Sequence, residues 1–344
     1  MKKTFVLLAA MLLVNSSFGQ PAKGSLPDPR DRDWTVVKDF DAPTLEFSFP
    51  DMRIGVAEYA EGPTGCVVFW FPKGAQCAVD QRGGFSGTYM LGDGYVDAIV
   101  YSGGSLMGLQ AATGVAEGLM QKRRSVQWYD IPVVRGAIVY DYLPRNNYVF
   151  PDATLGLEAF RNTKRGSFPL GRVGAGAHTS CGINFDVGKA EWGGQGAAFR
   201  EVGDVKIAVF TIVNALGAVH GRDGKVIKGN RDRSTGETES IAEQVDRHLE
   251  EGKRLRTGSG RTTLTLVVTN KVLDHRELRS LARQVNASMG RAIQPINAFD
   301  DGDLIYAVTT NEVNDKRLGV TALGVIASEL AWDAVIAAVT QEED

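Results

Sequence analysis

Apolar residues follow one another along this chain in two rhythms. Short unbroken apolar runs closed by turn residues read as buried strands. They are "TGCVVFWFP" ahead of Pro72, Lys73 and Gly74, then "VDAIVYSGG", "IPVVRGAIVYDYL", "KIAVFTIVNALG" ending at Asn214, and "TTLTLVVTN" from Thr262. Other stretches carry helical spacing. After "SGG", Leu106, Leu109, Thr113, Ala116 and Met120 recur every three or four residues and predict a helix that buries this stripe. Asp274 followed by Glu277 has the form of a capping box, and Leu278, Leu281, Ala282, Val285, Met289 and Ile293 line one face beyond it. A short helix is expected over 241–249 and a final one over 320–339, the latter after the turn and strand of "FDDGDLIYAVTTN". Residues 171–196 are glycine-dense. The charged stretch 221–260 reads as a surface loop region of the sort that precedes a cleavage point. Alternation of strands and helices without an internal repeat predicts a layered α/β architecture.

The first residues follow a different logic. Lys2 and Lys3, the apolar run 5–14 and the small polar stretch to "SSFGQ" read as a secretory signal over residues 1–20, too short for a membrane-spanning helix. Residues 21–43, polar and rich in Pro and Asp, read as a leader arm, leaving 44–344 as a single domain. No other stretch reads as long and apolar enough to span, so an exported protein, periplasmic or secreted, without a membrane span is expected. With 344 residues, 43% of them hydrophobic, the chain can bury a large core. Forty glycines against twelve prolines favour tight turns and close backbone approaches over disorder. A formal net charge of -3 with no basic stripe argues against nucleic acid as a partner. Cys66, Cys77 and Cys181 allow one disulfide or none, and whether Cys66 pairs with Cys77 is a matter of geometry. The four histidines show no metal-ligand spacing, and no metal or organic cofactor is implied.

Several segments could carry nucleophilic chemistry. Ser105 in "SGGSLMG" lies between strand and helix as a hydrolase nucleophile would, but Met107 occupies the second glycine position of that pattern. "GAGAHTSCG" lacks the last glycine of a dinucleotide loop, and its His178 and Cys181 lack a third orienting group. In "SGRTTLTLVVTN" a polar loop meets a buried strand at Thr262. Composition alone leaves Thr262 and Thr263 as ordinary strand residues.

Six segments in order change that reading: "TGCVVFWFPKGAQCAVDQRGG", "DAIVYSGGSLMGLQAATGVAEGL", "GRVGAGAH", "TIVNALG", "TTLTLVVTN" and "RAIQPINAFDDGDLIYAVTT". From about Phe47 to Glu312 the chain resembles the DmpA-type family of L-aminopeptidase/D-esterases and β-peptidyl aminopeptidases. The resemblance implies a four-layer αββα sandwich, shared with ornithine acetyltransferases and similar to N-terminal-nucleophile (Ntn) hydrolases. It implies self-cleavage at Arg261–Thr262, with Thr263 as the fallback, giving pieces 44–261 and 262–344. Thr262 would then be the nucleophile and its freed α-amine the base. Asn214 would stabilise the oxyanion, Tyr140 would lie near the nucleophile, and Asp301 and Asp303 of the "DDGD" turn would orient the amine. The implied substrates are short peptides or amino-acid amides and esters, and the implied assembly is a homo-oligomer. Two positions depart from the family pattern: Arg261 stands where relatives carry Gly or Asn, and Ile138 stands where β-peptidyl aminopeptidases carry a glutamate. An acyltransferase or a non-catalytic binding protein on the same architecture is the alternative.

Overall fold

Two strands open the body of the protein, β1 (Arg53–Tyr59) and β2 (Thr64–Gln81). Next come β3 (Gly94–Ser102), helix α1 (Gln110–Arg123), β4 (Val134–Ile138) and α2 (Ala153–Arg161). The chain continues through β5 (Gly194–Val202), β6 (Val205–Asn214), α3 (Ile241–Glu250), β7 (Thr262–Lys271), α4 (His275–Ser288), β8 (Leu304–Val313) and α5 (Val320–Val339). This computed structural model describes residues 32–143, 145, 147–182, 187–253 and 260–341. The expected signal segment, 1–20, lies outside the described residues.

The strands hydrogen-bond in the order β5-β6-β7-β8-β2-β3-β4, with β1 on the first half of β2. β2 therefore belongs to two sheets at once. Its first half pairs with β1 and β3, and its second half with β8 on one side and, through Ala75–Cys77, with the start of β3 on the other. The sequence suggests a strand ending at Pro72–Gly74. Instead β2 runs on for 18 residues, with a register shift between Trp70 and Ala75. Pro72 and Lys73 are exposed there, so proline costs the ladder nothing and the strand bends.

Side-chain alternation divides the interior into three apolar layers. Val67, Phe69, Ile99, Tyr101, Phe210, Leu264, Leu266 and Tyr306 lie between the two sheets. Val68, Trp70, Ala98 and Val100 turn the other way, onto α1 and α2 through Val115, Leu119 and Leu155. Ile207, Val209, Val267 and Ile305 face α4 and α5 through Leu281, Val285, Leu323 and Ala331. Three cores between helices, two sheets and helices make the four-layer αββα sandwich.

The α4 capping box is present, with Glu277 N–H donating to Asp274 at 2.8 Å and Asp274 N–H to Glu277 at 3.0 Å. The face read for α1 is not the buried one. Leu106 and Thr113 are exposed, while Ala111, Ala112, Val115 and Leu119 are buried. The cause is close helix packing: a Cβ on Gly114 would lie 1.8 Å from the Ala153 carbonyl oxygen, and one on Gly156 2.0 Å from that of Ala111. The final helix also needs correcting. Val320–Val339 is long and apolar enough by composition to cross a membrane, but here it is a core helix lying on β5 and β6. The expected leader arm is described from residue 32, and Val36–Val37 pairs with β1 as an edge strand.

Candidate active site

The site follows from strand parity. Leu264, Leu266 and Val268 of β7 face the core between the sheets, so Thr262 at the start of the strand faces the same way. On β6, Phe210 and Ile212 place Asn214 on that face too, and the antiparallel register sets Asn214 opposite Thr262. β8 runs parallel to β7, and an isolated bridge joins Arg261 to Asp301. The "DDGD" turn is thereby laid beside the start of β7.

Two donors converge on one carbonyl there. Thr262 Oγ1 donates to the Arg261 oxygen at 2.5 Å, and the Gly302 N–H donates to the same oxygen at 2.7 Å. Glycine at 302 leaves room for this hydroxyl, since a Cβ there would stand 2.3 Å from Thr262 Oγ1 and force one of them to move. Ser86 Oγ holds the turn by donating to the Gly302 carbonyl at 2.7 Å. Thr262 is 3% exposed, so this contact is shielded from solvent.

Asn214 is fixed at both ends. Its Oδ1 accepts from Ser180 N–H at 3.1 Å, and its Nδ2 donates to the Tyr140 carbonyl at 3.0 Å. An amide nitrogen carries two hydrogens, so one remains for an oxyanion. Tyr140 meets the site through this carbonyl and through the face of its ring, which lies 3.4 Å from where a Gly260 Cβ would be. Asp141 anchors the segment: it is buried and accepts from Thr64 Oγ1 at 2.5 Å, Gly104 N–H at 2.8 Å and Arg145 Nη2 at 2.8 Å.

Asp301 and Asp303 are both buried. Burial and then its neighbour Asp303 push Asp301 far above the usual carboxylate range. Burial also raises Asp303, to about 6, against the pull of two backbone donors. These are Thr263 N–H at 2.6 Å and Asn297 N–H at 2.7 Å. Asp303 is therefore the ionised partner near neutral pH and Asp301 the protonated one, two like acids sharing a proton. The structure brings together Thr262, Asn214, Asp301, Asp303, Arg261 and the Tyr140 backbone. Among the described residues no three His, Cys, Asp or Glu side chains gather as a metal site.

Residues 51–343 match the model of peptidase family S58. The chain belongs to peptidase family S58. It is 41% identical over 315 residues to a 6-aminohexanoate-oligomer endohydrolase of Paenarthrobacter ureafaciens, covering 86% of this chain and 85% of the relative. Two solved structures share the fold. The L-aminopeptidase D-Ala-esterase/amidase of Ochrobactrum anthropi, described as a variant of the Ntn-hydrolase fold, has a TM-score of 0.61 at 15% identity, covering 89% of this chain and 90% of that one. A Burkholderia sp. β-aminopeptidase has a TM-score of 0.58 at 17% identity, covering 84% of each chain.

The other candidate nucleophiles of this S58 hydrolase lie elsewhere. Ser105 opens a single helical turn, and its N–H donates to the Val139 carbonyl at 3.0 Å. Cys181 turns its thiol to the Trp192 carbonyl, and burial raises its pKa. His178 packs edge-on against Trp192, with ring centroids 5.0 Å apart. Cys66 and Cys77 are free, buried thiols. Sequence reasoning passed over Gly302, Ser86 and Ser180. Of these only Gly302 had a visible signal, as the glycine inside an acidic turn facing the start of a strand. The loop 82–87 folds onto the same turn, with Phe85 N–H donating to the Asp301 carbonyl at 2.8 Å. Phe85, Phe299 and Leu106 stand exposed around it, with Leu106 beside Ile138.

Proposed function

We propose that this chain is an exported, self-processing amidohydrolase whose nucleophile is Thr262, released by cleavage of the Arg261–Thr262 bond. The observation that carries this reading is the convergence of Thr262 Oγ1 and the Gly302 N–H on the Arg261 carbonyl. In the intact chain the hydroxyl oxygen attacks that carbonyl carbon, the C–N bond to Thr262 breaks, and the hydroxyl proton ends on the new amine. Water then hydrolyses the ester. The free α-amine, with a reference pKa of about 7.7–8.0, serves as base for later turnovers. Asn214, and Gly302 through its N–H, stabilise the oxyanion, Tyr140 holds Asn214, and Asp301 with Asp303 sets the charge around the amine.

The substrates are linear amides. With Ile138 in place of a carboxylate and apolar residues around the site, α-amino recognition is not required. This favours oligomers of unbranched ω-amino acids, such as the 6-aminohexanoate of the relative's name, over strict aminopeptidase action on short peptides. Export rests on Lys2, Lys3 and the apolar run behind them. A homo-oligomer rests on the family resemblance alone.

Denaturing mass spectrometry of purified protein tests the reading. Two pieces meeting at Arg261/Thr262 are expected from wild type and a single chain from Thr262→Ala. An intact, fully active wild type overturns it.

A further inference from the structure

Arg261 is an odd residue to bury. It is 1% exposed and heads the large side chains that lie wholly inside the protein. A guanidinium has five donors and is costly to desolvate unless they are satisfied. Here Nη1 donates to the Tyr140 carbonyl at 3.2 Å and the group lies 5.8 Å from the Tyr140 ring centre, but Nε and Nη2 find no partner among the described residues. Tyr140, Asp301 and Asp141 are the titratable groups nearest it, and of these Asp301 is protonated. An apolar side chain of the same length would fill the space without that desolvation. Packing therefore does not account for an arginine at this position.

Chemistry offers an account, and it rests on the amidohydrolase reading above. When Thr262 Oγ1 takes the Arg261 carbonyl, the product is an ester with Arg261 as the acyl group. An amide substrate forms the same linkage on the same oxygen. The slot that holds the side chain attached to that carbonyl in the intact chain is then the place for a substrate's acyl chain. Hydrolysis turns Arg261 into a carboxylate terminus that can leave, and the Tyr140 carbonyl, which keeps its bond from Asn214 Nδ2, regains its second acceptor position in the slot.

We propose that the Arg261 side-chain slot is the acyl-side subsite of the mature enzyme, and that it takes an unbranched chain ending in a nitrogen donor. Arginine sets the reach. Its donating Nη1 stands seven bonds from its carbonyl carbon and its Nε five. The nitrogen of a 6-aminohexanoyl unit stands six bonds from the carbonyl carbon and that of a 7-aminoheptanoyl unit seven, so chains of these lengths bring a donor to the place of the guanidinium. Either a free ammonium or the N–H of the next amide in an oligomer would meet the Tyr140 carbonyl, and an ammonium would gain the ring face as well. Arg261 is thus a tethered stand-in for substrate, seated until the cut releases it.

The test uses processed wild-type protein and ω-aminoacyl 4-nitroanilides of four to eight carbons, with the matching plain alkanoyl anilides. Values of kcat/KM should peak at the six- to seven-carbon aminoacyl chains and fall about tenfold per methylene removed below them, as a fitted pocket requires. They should also fall about tenfold when the terminal nitrogen is deleted. N-acetyl-arginine should inhibit competitively, and N-acetyl-norleucine should not. Turnover with a flat length profile, or a preference for plain alkanoyl chains, overturns the subsite while leaving the hydrolase standing. No turnover of any amide removes the hydrolase reading, and this inference with it.

Discussion

Replacing Gly302 by alanine isolates the geometry on which the chemistry depends. The new methyl would lie 2.3 Å from Thr262 Oγ1, 2.9 Å from the Phe85 carbonyl oxygen and 3.3 Å from that of Arg261. Carbon and oxygen seldom approach closer than about 3 Å, so the hydroxyl or the turn must retreat by roughly 1 Å. A displacement of about 1 Å at a reacting centre costs on the order of a hundredfold in rate, or about 2.7 kcal/mol of barrier. Where the turn is what retreats, the Gly302 N–H is drawn off the carbonyl oxygen it now meets at 2.7 Å, and loss of such a donor alone costs about 10²–10³. Self-cleavage of Gly302→Ala is therefore expected to run at least about a hundredfold slower than wild type. The backbone at 302 does not adopt a left-handed conformation, so the fold should survive. A time course of precursor loss on denaturing gels, with thermal melts in parallel, measures both. Processing at the wild-type rate would mean that the hydroxyl is not held where the reasoning requires.

The two acids should respond differently to amidation. Asp301→Asn keeps a donor toward Asp303 and an acceptor for Gly302 N–H, and should change stability by less than about 1 kcal/mol. Asp303→Asn leaves one of two buried N–H groups unpaired and should cost about 1–3 kcal/mol in urea unfolding; equal losses would refute the assignment. Processing should slow as pH falls through about 6, where Asp303 takes up its proton, and a rate unchanged between pH 5 and 7 would contradict this. Stability runs the other way. The folded pKa lies above the unfolded value of about 3.9, so this acid's contribution is complete below that value and is lost as pH rises through about 6, which melts across the range will show. Gly156→Ala should destabilise by about 1–3 kcal/mol through overpacking against the Ala111 carbonyl, and an unchanged melting temperature would show that the two helices can part without cost.

Much of this architecture is legible in the chain because local and tertiary signals agree. The α4 cap, the strand ending at Asn214 and the strand starting at Thr262 each announce themselves through residues that work locally. The misreadings share a cause: the deciding partner is distant in sequence. Pro72 looks like a stop until the bend of β2 gives it solvent. Large apolar residues nominate one face of α1, but Gly114 selects another because the Ala153 carbonyl must come close. The site divides likewise. Thr262 and the acidic turn stand out only through the resemblance, while Ser86 and Ser180 carry no mark in the sequence, since they act through contacts with the Gly302 carbonyl and the Asn214 side chain.

The strand order has a consequence for a severed chain. β7 and β8 follow the Arg261–Thr262 bond in sequence, yet they are seated between β6 and β2, which precede it. A break there leaves no seam along which the halves could part; each is knitted into the other by ladders on both flanks. Such a nicked molecule would hold together as firmly as the unbroken one until it melts. Its recovery from denaturant would then become a meeting of two chains, slower on dilution, whereas the uncut Thr262→Ala chain would refold at a rate indifferent to concentration.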